Sequence, residues 1–578
     1  MLKKVSSLLL LSPLLFSCAP SSSGGSSSSG FSSSEVSVED SSLGSSSSDS
    51  GRYQFGRKAS KIELPEGEIN PSGAGYEIFV GSFADSNGDG IGDLNGIIAH
   101  LDYLSSLGVT YLWLTPIYPS STYHHYDVKD YFSVAPEFGT IEDFSRLCVE
   151  AKKRGMLVVL DMVLNHASIK GEWFNAALDD FVTDYSGPDS YKNDFVFYSS
   201  LPSSSVSRFY PVSHKGKMVY YEANFDSNMP EFKLSDPGCK KKQRQILDFW
   251  LDSGASGFRF DGVYYYFYKN NTQNVSYLQE INDYVLSKKG DAYMVGEVWP
   301  NNFSANDIKT YSSSGMTLFN FMNSVTGGSS WVSYATSVNK VGVVFSDINY
   351  VQSKQEKGTQ PVFFLSNHDQ DRLRGYFSKY KDEEERLLKR KLAASYCLLT
   401  PGTPFLYYGE EIDLGGVRGS SNTDANRRLP FLWKGEGDEA RCNEPLGADY
   451  SGDQPSAGAL EQIEDPSSLT SHYKALLALR AKYPCIQNGQ YSRVSGLKGE
   501  DGNRIQKIGM GKIEYQGEVF FLVHNESASP LALSLPALES GGYEILDGVS
   551  PDGKAPEIVS GLLSLGGCAS VLLKQTNP

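Results

Sequence analysis

The sequence has few basic residues, few cysteines and no long basic stripe. Its 578 residues contain 52 Lys and Arg against 68 Asp and Glu, a net charge of −16, and no run of basic residues exceeds three. Such a chain lacks the counterion release that drives nucleic-acid binding, so we exclude nucleic acid as a partner. After residue 18, no apolar stretch approaches the roughly 18 residues of a membrane-spanning helix. Any membrane attachment must therefore use a covalent lipid.

The length and the aromatic content are compatible with a large enzyme but do not identify its function. At roughly 100 to 200 residues per domain, the chain has room for about three to five domains, or for one large barrel with additions. The 35 tyrosines suit a protein that handles sugars, because their rings are flat and amphipathic, and they equally suit a protein with a large core. Composition leaves that choice open.

The first 18 residues have the features of a bacterial export signal. Lys3 and Lys4 precede an apolar run over residues 5–16 that is too short to span a bilayer. The run leads into Leu15-Phe16-Ser17-Cys18, which resembles the lipobox of bacterial lipoproteins. We predict a lipoprotein signal peptide over residues 1–18, a lipid on Cys18, and an exported protein anchored to a bacterial membrane at the cell surface or on the periplasmic face. A plain signal peptide with an incidental cysteine is the alternative.

A serine-rich segment follows the signal. More than half of residues 19–50 are serine, and such a composition buries too little apolar surface to offset its chain entropy. We therefore predict a disordered, flexible linker over residues 19–60.

Six cysteines remain after Cys18. Cys148 and Cys397 lie on the apolar faces of predicted helices, so we interpret them as buried free thiols. The other four could form disulfides in three pairings, and the sequence does not decide whether any forms: Cys239, Cys442, Cys485 and Cys568.

Short apolar runs alternate with amphipathic helical patterns from about residue 75 to residue 480. This alternation favours an α/β fold, a parallel (β/α)8 TIM barrel, with a doubly wound sheet as the alternative. We predict barrel segments over residues 70–166 and 237–485, a small inserted domain B over 167–236 after the third strand, and a C-terminal all-β sandwich over 486–578. The eight runs are 76–80, 110–114, 156–161, 257–261, 293–297, 317–321, 362–365 and 405–408.

Four of these runs end in a carboxylate or reach one within a few residues. Active sites of (β/α)8 barrels lie at the carboxyl ends of the strands, so these acids are expected to share one rim. Burying them there would be costly unless they were paired or used in catalysis, and basic partners are present in the same segments. A group of several carboxylates with His and Arg suits glycoside hydrolysis. The alternative is that these acids are ordinary solvent-exposed residues at strand ends. The acids are Asp161, Asp261, Glu297 and Asp369, and the partners are Arg259, His166 and His368.

Four segments that contain these residues resemble, in order and spacing, the signature regions of the α-amylase family of glycoside hydrolases. The resemblance covers about residues 75–485, and within the family the chain resembles the bacterial α-amylases that are intermediate between α-amylase and oligo-1,6-glucosidase types. The segments are Asp161-Met-Val-Leu-Asn165-His166, Gly257-Phe-Arg259-Phe-Asp261, Gly296-Glu297-Val-Trp299 and Phe364-Leu-Ser-Asn-His368-Asp369.

The resemblance implies roles for individual residues. Asp261 becomes the nucleophile that forms a covalent glycosyl-enzyme intermediate, Glu297 the general acid/base, and Asp369 the acid that stabilises the transition state. The anomeric configuration is then retained, which predicts a separation of roughly 5 to 5.5 Å between the Asp261 and Glu297 carboxyl groups. Arg259 would orient Asp261, Asp161 would anchor the site, and four residues would contact the sugar in the cleaved subsite: His124, Tyr126, His166 and His368.

A loop after the first strand places oxygen-bearing residues at alternate positions between glycines. Such a loop suits a hard cation such as Ca²⁺, although it lacks the glutamate that an EF-hand requires. It also resembles the metal loop of oligosaccharide-cleaving members of the family, and a polar turn without metal is the alternative. The predicted ligands are Asp85, Asn87, Asp89, Ile91 through its carbonyl, and Asp93.

Two substitutions bear on specificity. Where many α-amylases carry a Lys-His pair after the nucleophile, this chain has Tyr264-Tyr265, which puts a second calcium site and the Lys contact on the aglycone side in doubt. Exo-acting relatives carry an Asp where this chain has Tyr123. We therefore expect a monomer that cleaves internal α-1,4 bonds of starch, glycogen or maltooligosaccharides. The alternatives are an exo-acting α-glucosidase or oligo-1,6-glucosidase, a 4-α-glucanotransferase, and a non-catalytic sugar-binding lipoprotein.

Overall fold

The computed structural model describes residues 52–70, 72–203, 208–538 and 541–576. The predicted signal peptide, Cys18 and most of the predicted linker lie outside these residues. The strands, numbered in chain order, are β1 (Ala74–Ile78), β2 (Val109–Leu114), β3 (Leu157–Met162), β4 (Phe197–Tyr198), β5 (Phe209–His214), β6 (Lys217–Glu222), β7 (Gly257–Phe260), β8 (Tyr293–Gly296), β9 (Thr317–Phe319), β10 (Pro361–Val362), β11 (Phe405–Tyr407), β12 (Gln490–Arg493), β13 (Lys498–Gly499), β14 (Ile508–Tyr515), β15 (Glu518–Asn525), β16 (Leu531–Ser534), β17 (Tyr543–Val549), β18 (Glu557–Val559), β19 (Leu562–Leu565) and β20 (Ser570–Gln575).

The α-helices alternate with the barrel strands along the chain. Helix α3 shows why such segments are helical, because Thr140 and Asp143 form the reciprocal capping box at its start and its apolar face is buried. The helices are α1 (Leu94–Ala99), α2 (Leu101–Leu107), α3 (Ile141–Lys153), α4 (Glu172–Thr183), α5 (Pro237–Asp252), α6 (Asn271–Lys288), α7 (Ala305–Ser312), α8 (Trp331–Ala335), α9 (Val341–Gln352), α10 (Glu383–Leu398), α11 (Ala459–Gln462), α12 (Leu469–Lys482) and α13 (Cys485–Asn488).

Eight parallel strands form a barrel in which sequential strands are neighbours. The order is β1-β2-β3-β7-β8-β9-β10, and β11 pairs with β1 on the other side. A parallel bridge between Phe364 and Phe405 joins the remaining edge. A doubly wound sheet would reverse its strand order at a switch point, so that alternative is wrong and the predicted (β/α)8 barrel is confirmed. Large apolar side chains, among them Trp113 and Phe319, fill the barrel interior.

Between β3 and α5 the chain forms helix α4 and a small antiparallel sheet in the order β4-β6-β5. This insert is held to the catalytic end of the barrel, where Phe232 N donates to Asn165 O at 3.0 Å and His166 forms a bridge with Glu231. The insert thus forms one wall beside the ends of β3 and β7.

The C-terminal region is all-β. A five-stranded sheet, β12-β14-β15-β20-β17, and a four-stranded sheet, β13-β16-β19-β18, share an apolar core that includes Met510, Val523 and Leu573. The region is anchored to the barrel by Glu526, whose carboxylate accepts hydrogen bonds from Lys340 N (2.9 Å) and Val341 N (3.0 Å) at the start of α9. The predicted all-β C-terminal domain is confirmed.

Residues 52–60, the last part of the predicted linker, lie against the protein. Arg52 forms an ion pair with the buried Asp180 at 2.6 Å, and the ring of Phe55 packs on Trp173 at a centroid distance of 4.4 Å. Unlike the serine-rich residues before them, these residues carry aromatic and basic side chains that the insert can bind. The packed protein therefore begins before the predicted end of the linker.

The cysteines from Cys148 onwards are free and buried in the structure, so the predicted free thiols at Cys148 and Cys397 are confirmed. The four cysteines whose pairing the sequence leaves open are unpaired as well. Across the described ranges, no helix is both long enough and apolar enough to cross a membrane.

Candidate active site

The carboxylates that follow β7 and β8 meet at one guanidinium group. Arg259 Nη1 donates to Asp261 Oδ1 at 2.7 Å, and Arg259 Nη2 lies 2.9 Å from Glu297 Oε1. Because β7 and β8 are parallel neighbours in register, their carboxyl ends bring residues 261 and 297 to the same rim. The arginine is almost fully buried, so its charge is shared among carboxylates and not with bulk water.

Asp161, near the end of β3, binds the same guanidinium nitrogen as Asp261, Nη1 of Arg259. Arg259 Nη1 donates to Asp161 Oδ1 at 2.9 Å, while Trp113 Nε1 and the Tyr126 hydroxyl donate to Asp161 Oδ2 at 3.1 and 3.0 Å. Asp161 is fully buried. With its oxygens bound in this way, Asp161 positions Arg259 and Tyr126, as its predicted structural role requires.

Asp369 lies after β10 and is held by two cations. Its Oδ1 accepts a hydrogen bond from Arg428 Nη2 at 2.8 Å, and its Oδ2 lies 3.2 Å from His368 Nε2. On the far side of that imidazole, Glu77 Oε1 lies 2.5 Å from His368 Nδ1. Burial alone would raise the pKa of Asp369, but His368 and Arg428 lower it well below its usual range. Asp369 is therefore ionised.

Tyr126 and the remaining histidines surround the same space. The Tyr126 ring stacks on His368 at 5.4 Å with an angle of 13° between the planes, and its hydroxyl shares a hydrogen bond with His368 Nε2 at 2.8 Å. His166 Nε2 lies 3.2 Å from Tyr126 O. His124 Nδ1 accepts from Tyr126 N at 3.2 Å, and burial lowers the pKa of His124 to about 3. All predicted sugar-contacting residues thus lie together around Tyr126.

Two acids in the cluster hold protons more tightly than ordinary carboxylic acids. Burial raises the pKa of Glu297 to about 7, with Arg259 opposing the shift and the charges of Asp261 and Asp369 adding to it. Burial likewise raises the pKa of Asp161 to about 6. A buried carboxyl with a pKa near neutrality can donate a proton and take it back, which is the requirement for a general acid/base.

The sequence motifs missed two residues of this site, Glu77 and Arg428. Arg428 Nη1 donates to the Tyr123 hydroxyl at 2.9 Å, and Arg428 Nε donates to His368 O at 3.1 Å. A usable signal existed for Glu77, since it is a lone charge inside the first apolar strand. Arg428 follows β11 in an irregular loop and carries no comparable signal.

The loop of predicted metal ligands forms a tight turn. Asp85 Oδ1 accepts hydrogen bonds from Asn87 N (3.0 Å) and Gly88 N (2.7 Å), and Asp93 caps α1 through Gly96 N at 2.8 Å. Within the described ranges, no three acidic, histidine or cysteine side chains are grouped as metal ligands. The oxygen donors of the loop fit a hard cation chemically, although the side chains are not gathered around one point.

The arrangement is competent for displacement at an anomeric carbon. One carboxylate (Asp261) is held by an arginine, a second carboxyl (Glu297) has a pKa near neutrality, and a third (Asp369) is ionised beside an imidazole. A retaining glycosidase uses the first to attack the anomeric carbon and the second to protonate the leaving oxygen, with the two separated by roughly 5 to 5.5 Å. Asp261 and Glu297 bind the two terminal nitrogens of one guanidinium, which agrees with such a short separation.

Comparisons with known proteins agree with this geometry. The family profile described as Alpha amylase, catalytic domain, matches residues 77–489. Alpha-amylase 3 of Dictyoglomus thermophilum is 34% identical over 464 residues, which cover 78% of this chain and 84% of that protein. An oligo-1,6-glucosidase of Parageobacillus thermoglucosidasius is 29% identical, covering 72% of this chain and 84% of that protein. The solved structure of Eubacterium rectale Amy13B has a TM-score of 0.77 at 30% identity, covering 89% of this chain and 98% of that one.

The match to the family extends over the barrel that carries the carboxylates. The predicted resemblance is thereby confirmed. Asp261, Glu297 and Asp369 are all present after barrel strands, and the charges of Asp261 and Asp369 both act on Glu297. The chain belongs to the α-amylase family of glycoside hydrolases and is an enzyme of that type.

Proposed function

We propose that this enzyme hydrolyses internal α-1,4-glucosidic bonds of starch, glycogen or maltooligosaccharides with retention of configuration. Asp261 attacks the anomeric carbon, and Glu297 gives its proton to the departing oxygen. Glu297, now a carboxylate, then takes a proton from the water that cleaves the glycosyl–Asp261 ester. Asp369 stabilises the positive charge that develops on the sugar ring.

The observation that carries this proposal is the clamping of Asp261 and Glu297 by Arg259. A single guanidinium holds both side chains, with Arg259 Nη1 2.7 Å from Asp261 Oδ1 and Arg259 Nη2 2.9 Å from Glu297 Oε1. The pKa of Glu297, raised to about 7 by burial, leaves it protonated in a large fraction of molecules near neutral pH. Asp261 and Glu297 are thus already positioned by Arg259 before a substrate binds.

The residues around Tyr126 would bind the sugar whose bond is cleaved. The flat ring of Tyr126, held by Asp161 and His368, offers an apolar face to the sugar ring. His124, His166 and His368 surround that ring with groups that can bond to sugar hydroxyls. Fixing the sugar in this way lowers the entropy cost of reaching the transition state.

Internal cleavage is supported by Tyr123 and by the curated relative that is itself named an α-amylase. One observation favours a second candidate, an exo-acting α-glucosidase. The hydrogen bond from Arg428 to the Tyr123 hydroxyl lies beside Asp369, where it would narrow the subsite that receives the chain end. Relatives named oligo-1,6-glucosidase and trehalose-6-phosphate hydrolase are also among those with detectable similarity.

A maltoheptaoside that is blocked at its non-reducing end and carries a chromogenic group at its reducing end separates the two candidates. An endo-acting enzyme, assayed with an excess of added α-glucosidase, releases the chromophore, whereas an exo-acting enzyme cannot begin on the blocked end. Asp261→Asn serves as the inactive control. Absence of release from the blocked substrate, with rapid hydrolysis of the unblocked one, would overturn internal cleavage.

We further propose that the loop of Asp85, Asn87, Asp89, Ile91 and Asp93 binds a structural Ca²⁺. Support comes from its alternating oxygen donors and from its likeness to the metal loop of related enzymes. We also propose that the protein is an exported monomer that a lipid on Cys18 anchors to a bacterial membrane. The support is the apolar segment before Cys18 and the serine-rich segment after it.

A further inference from the structure

Residues 52–57 precede the part of the chain that matches the family profile, which begins at residue 77. They are nevertheless packed against both the insert and the barrel. The centroid of the Phe55 ring lies 4.4 Å from that of Trp173, in helix α4 of the insert, and 5.2 Å from that of Phe132, in the barrel loop after β2. We refer to residues 52–57 as the strap.

Ion pairs hold the strap at both of its ends. At the first end, Arg52 lies 2.6 Å from Asp180 and 2.9 Å from Asp189, and both acids belong to the insert. At the other end, Arg57 lies 3.1 Å from Asp130 in the loop after β2. The strap therefore joins the insert to this loop of the barrel by contacts on either side.

Trp173 connects the strap to the backbone of a sugar-contacting residue. Besides packing on Phe55, Trp173 packs edge-on against the ring of Tyr131, at 6.1 Å and 83° between the planes. The Tyr131 hydroxyl in turn lies 2.5 Å from His166 O. One path of contacts thus runs from Phe55 through Trp173 and Tyr131 to His166.

A second path starts from the same tryptophan. Trp173 Nε1 donates to Asp194 Oδ2 at 2.7 Å, which fixes the orientation of the indole, and the indole packs on Phe232 at 4.5 Å. Phe232 N donates to Asn165 O at 3.0 Å, directly before His166 in the chain. The position of Trp173 therefore bears on both sides of the His166 backbone.

The barrel side of the strap leads to the other part of the sugar-binding group. Phe132 and Asp130 belong to the same loop as Tyr126, the ring expected to lie against the sugar. His166 Nε2 also lies 3.2 Å from Tyr126 O, so the two loops meet at the sugar-binding residues. The strap spans the loops that carry these residues.

The catalytic carboxylates depend on a different set of contacts. Asp261 and Glu297 are held by Arg259, which is buried in the barrel. Loss of a strap contact should therefore disturb the sugar-binding residues more than the carboxylates.

We propose that the strap is a positioning element for substrate binding: through Trp173 and Phe132 it fixes the two loops that carry His166 and Tyr126, and so raises the affinity for the sugar in the cleaved subsite. Close packing transmits the effect, because a void left beside Trp173 would be filled only in part and by movement of its neighbours. The proposal rests on the proposed hydrolytic function. It gives a segment outside the matched family region a part in that function.

The test measures kcat and KM for maltopentaose in Phe55→Ala and in the wild-type enzyme. A contact made equally to the bound substrate and to the transition state changes KM and leaves kcat as it was. We expect KM to rise about fivefold, a usual size for coupling through packed side chains, and kcat to change less than about twofold. The pH at which activity falls on the alkaline side should stay the same, because Glu297 keeps its surroundings.

Three further variants separate positioning from stability. Phe55→Tyr keeps the ring and should have the KM of the wild type. Met510→Ala removes a fully buried side chain from the core of the C-terminal domain, so it should lower Tm and leave KM unchanged. Tyr191→Phe removes the hydroxyl that accepts a hydrogen bond from Phe55 N at 3.1 Å, and it repeats the test if Phe55→Ala does not fold.

An unchanged KM in Phe55→Ala, or a rise in KM that Met510→Ala reproduces, would overturn the positioning role and leave the strap a purely structural element. A wild-type enzyme that does not hydrolyse maltopentaose would contradict the proposed hydrolytic function itself. The two failures are therefore distinguishable.

Discussion

Glu77 Oε1 and His368 Nδ1 lie 2.5 Å apart, and both side chains are buried beneath the catalytic rim. Burial would lower the pKa of His368, but the carboxylates of Asp369 and Glu77 raise it to about 10. The imidazole therefore carries a charge at neutral pH and binds Asp369 as a cation. Glu77, in the first barrel strand, thus acts together with Asp369 to keep His368, which follows the seventh barrel strand, charged.

Glu77→Gln should narrow the pH range over which the protein is stable. The folded pKa of His368 exceeds its unfolded value of about 6.5. The charged His368 therefore stabilises the folded protein fully below about pH 6.5, and this contribution to the free energy of unfolding is lost as pH rises towards 10. Removing one carboxylate lowers the folded pKa, and the loss should begin at lower pH. Melting temperatures measured from pH 6 to 10 check this, with the exposed Glu142→Gln as control. Parallel curves for wild type and Glu77→Gln would contradict it.

The pH dependence of activity should report Glu297. Because burial raises its pKa to about 7, the fraction able to donate a proton falls as pH rises through that value. We expect kcat/KM for maltooligosaccharides to fall on the alkaline side of about pH 7. Glu297→Gln should lower kcat on these substrates by about 10²- to 10⁴-fold, the usual contribution of a general acid. If the residual activity of Glu297→Gln still falls with rising pH in the same way as the wild-type activity, a group other than Glu297 causes that fall.

Arg259→Lys should lower both activity and stability. A lysine keeps the charge but cannot bind Asp161, Asp261 and Glu297 at fixed angles, so carboxylates stay buried without partners. We expect a loss of about 3 kcal/mol in the free energy of unfolding and at least about a 10²-fold loss in kcat. Denaturant unfolding and steady-state kinetics measure these effects, and Arg146→Lys on the surface is the matched control. If Arg259→Lys kept its activity within twofold of wild type, the role of Arg259 in positioning Asp261 and Glu297 would be refuted.

Chelation should destabilise the protein if the loop binds calcium. Saturation at about 100 times Kd contributes about 2.7 kcal/mol, which corresponds to roughly 2 to 3 °C in Tm for a chain of this length. Asp89→Ala should lower Tm and remove its sensitivity to EDTA, whereas Asp291→Ala, at an exposed acid elsewhere, should not. An EDTA-independent Tm in the wild-type protein would favour a polar turn without metal.

The parts of the site that lie in strands could be predicted from the sequence. Asp261 and Glu297 end short apolar runs, and the topology of a parallel barrel brings such ends together whatever the intervening helices contain. The same reasoning located Asp161 and Asp369. The alternation of apolar runs with helical patterns predicts the order of the strands, and the strand order alone decides which strand ends are neighbours. The barrel could be predicted for the same reason.

The contacts made by loops were not predictable in this way. Arg428 reaches Asp369 and Tyr123 from an irregular segment after β11, and Phe225 reaches Tyr265 from the insert. Loop paths depend on many weak contacts and not on a repeating pattern, so spacing along the chain says nothing about these pairs. The packing of Phe55 on Trp173 escaped prediction because the neighbouring serine-rich composition dominates the signal there.

The stereochemistry of the first product tests the central claim most directly. Proton NMR of maltopentaose hydrolysis in the first minutes, before mutarotation, distinguishes the α-anomer from the β-anomer at the new reducing end. Attack by Asp261 with Glu297 as acid predicts the α-anomer, and it predicts no product from Asp261→Asn in the same interval. A β-anomer as the first product would contradict the double displacement and, with it, the roles assigned to both carboxylates.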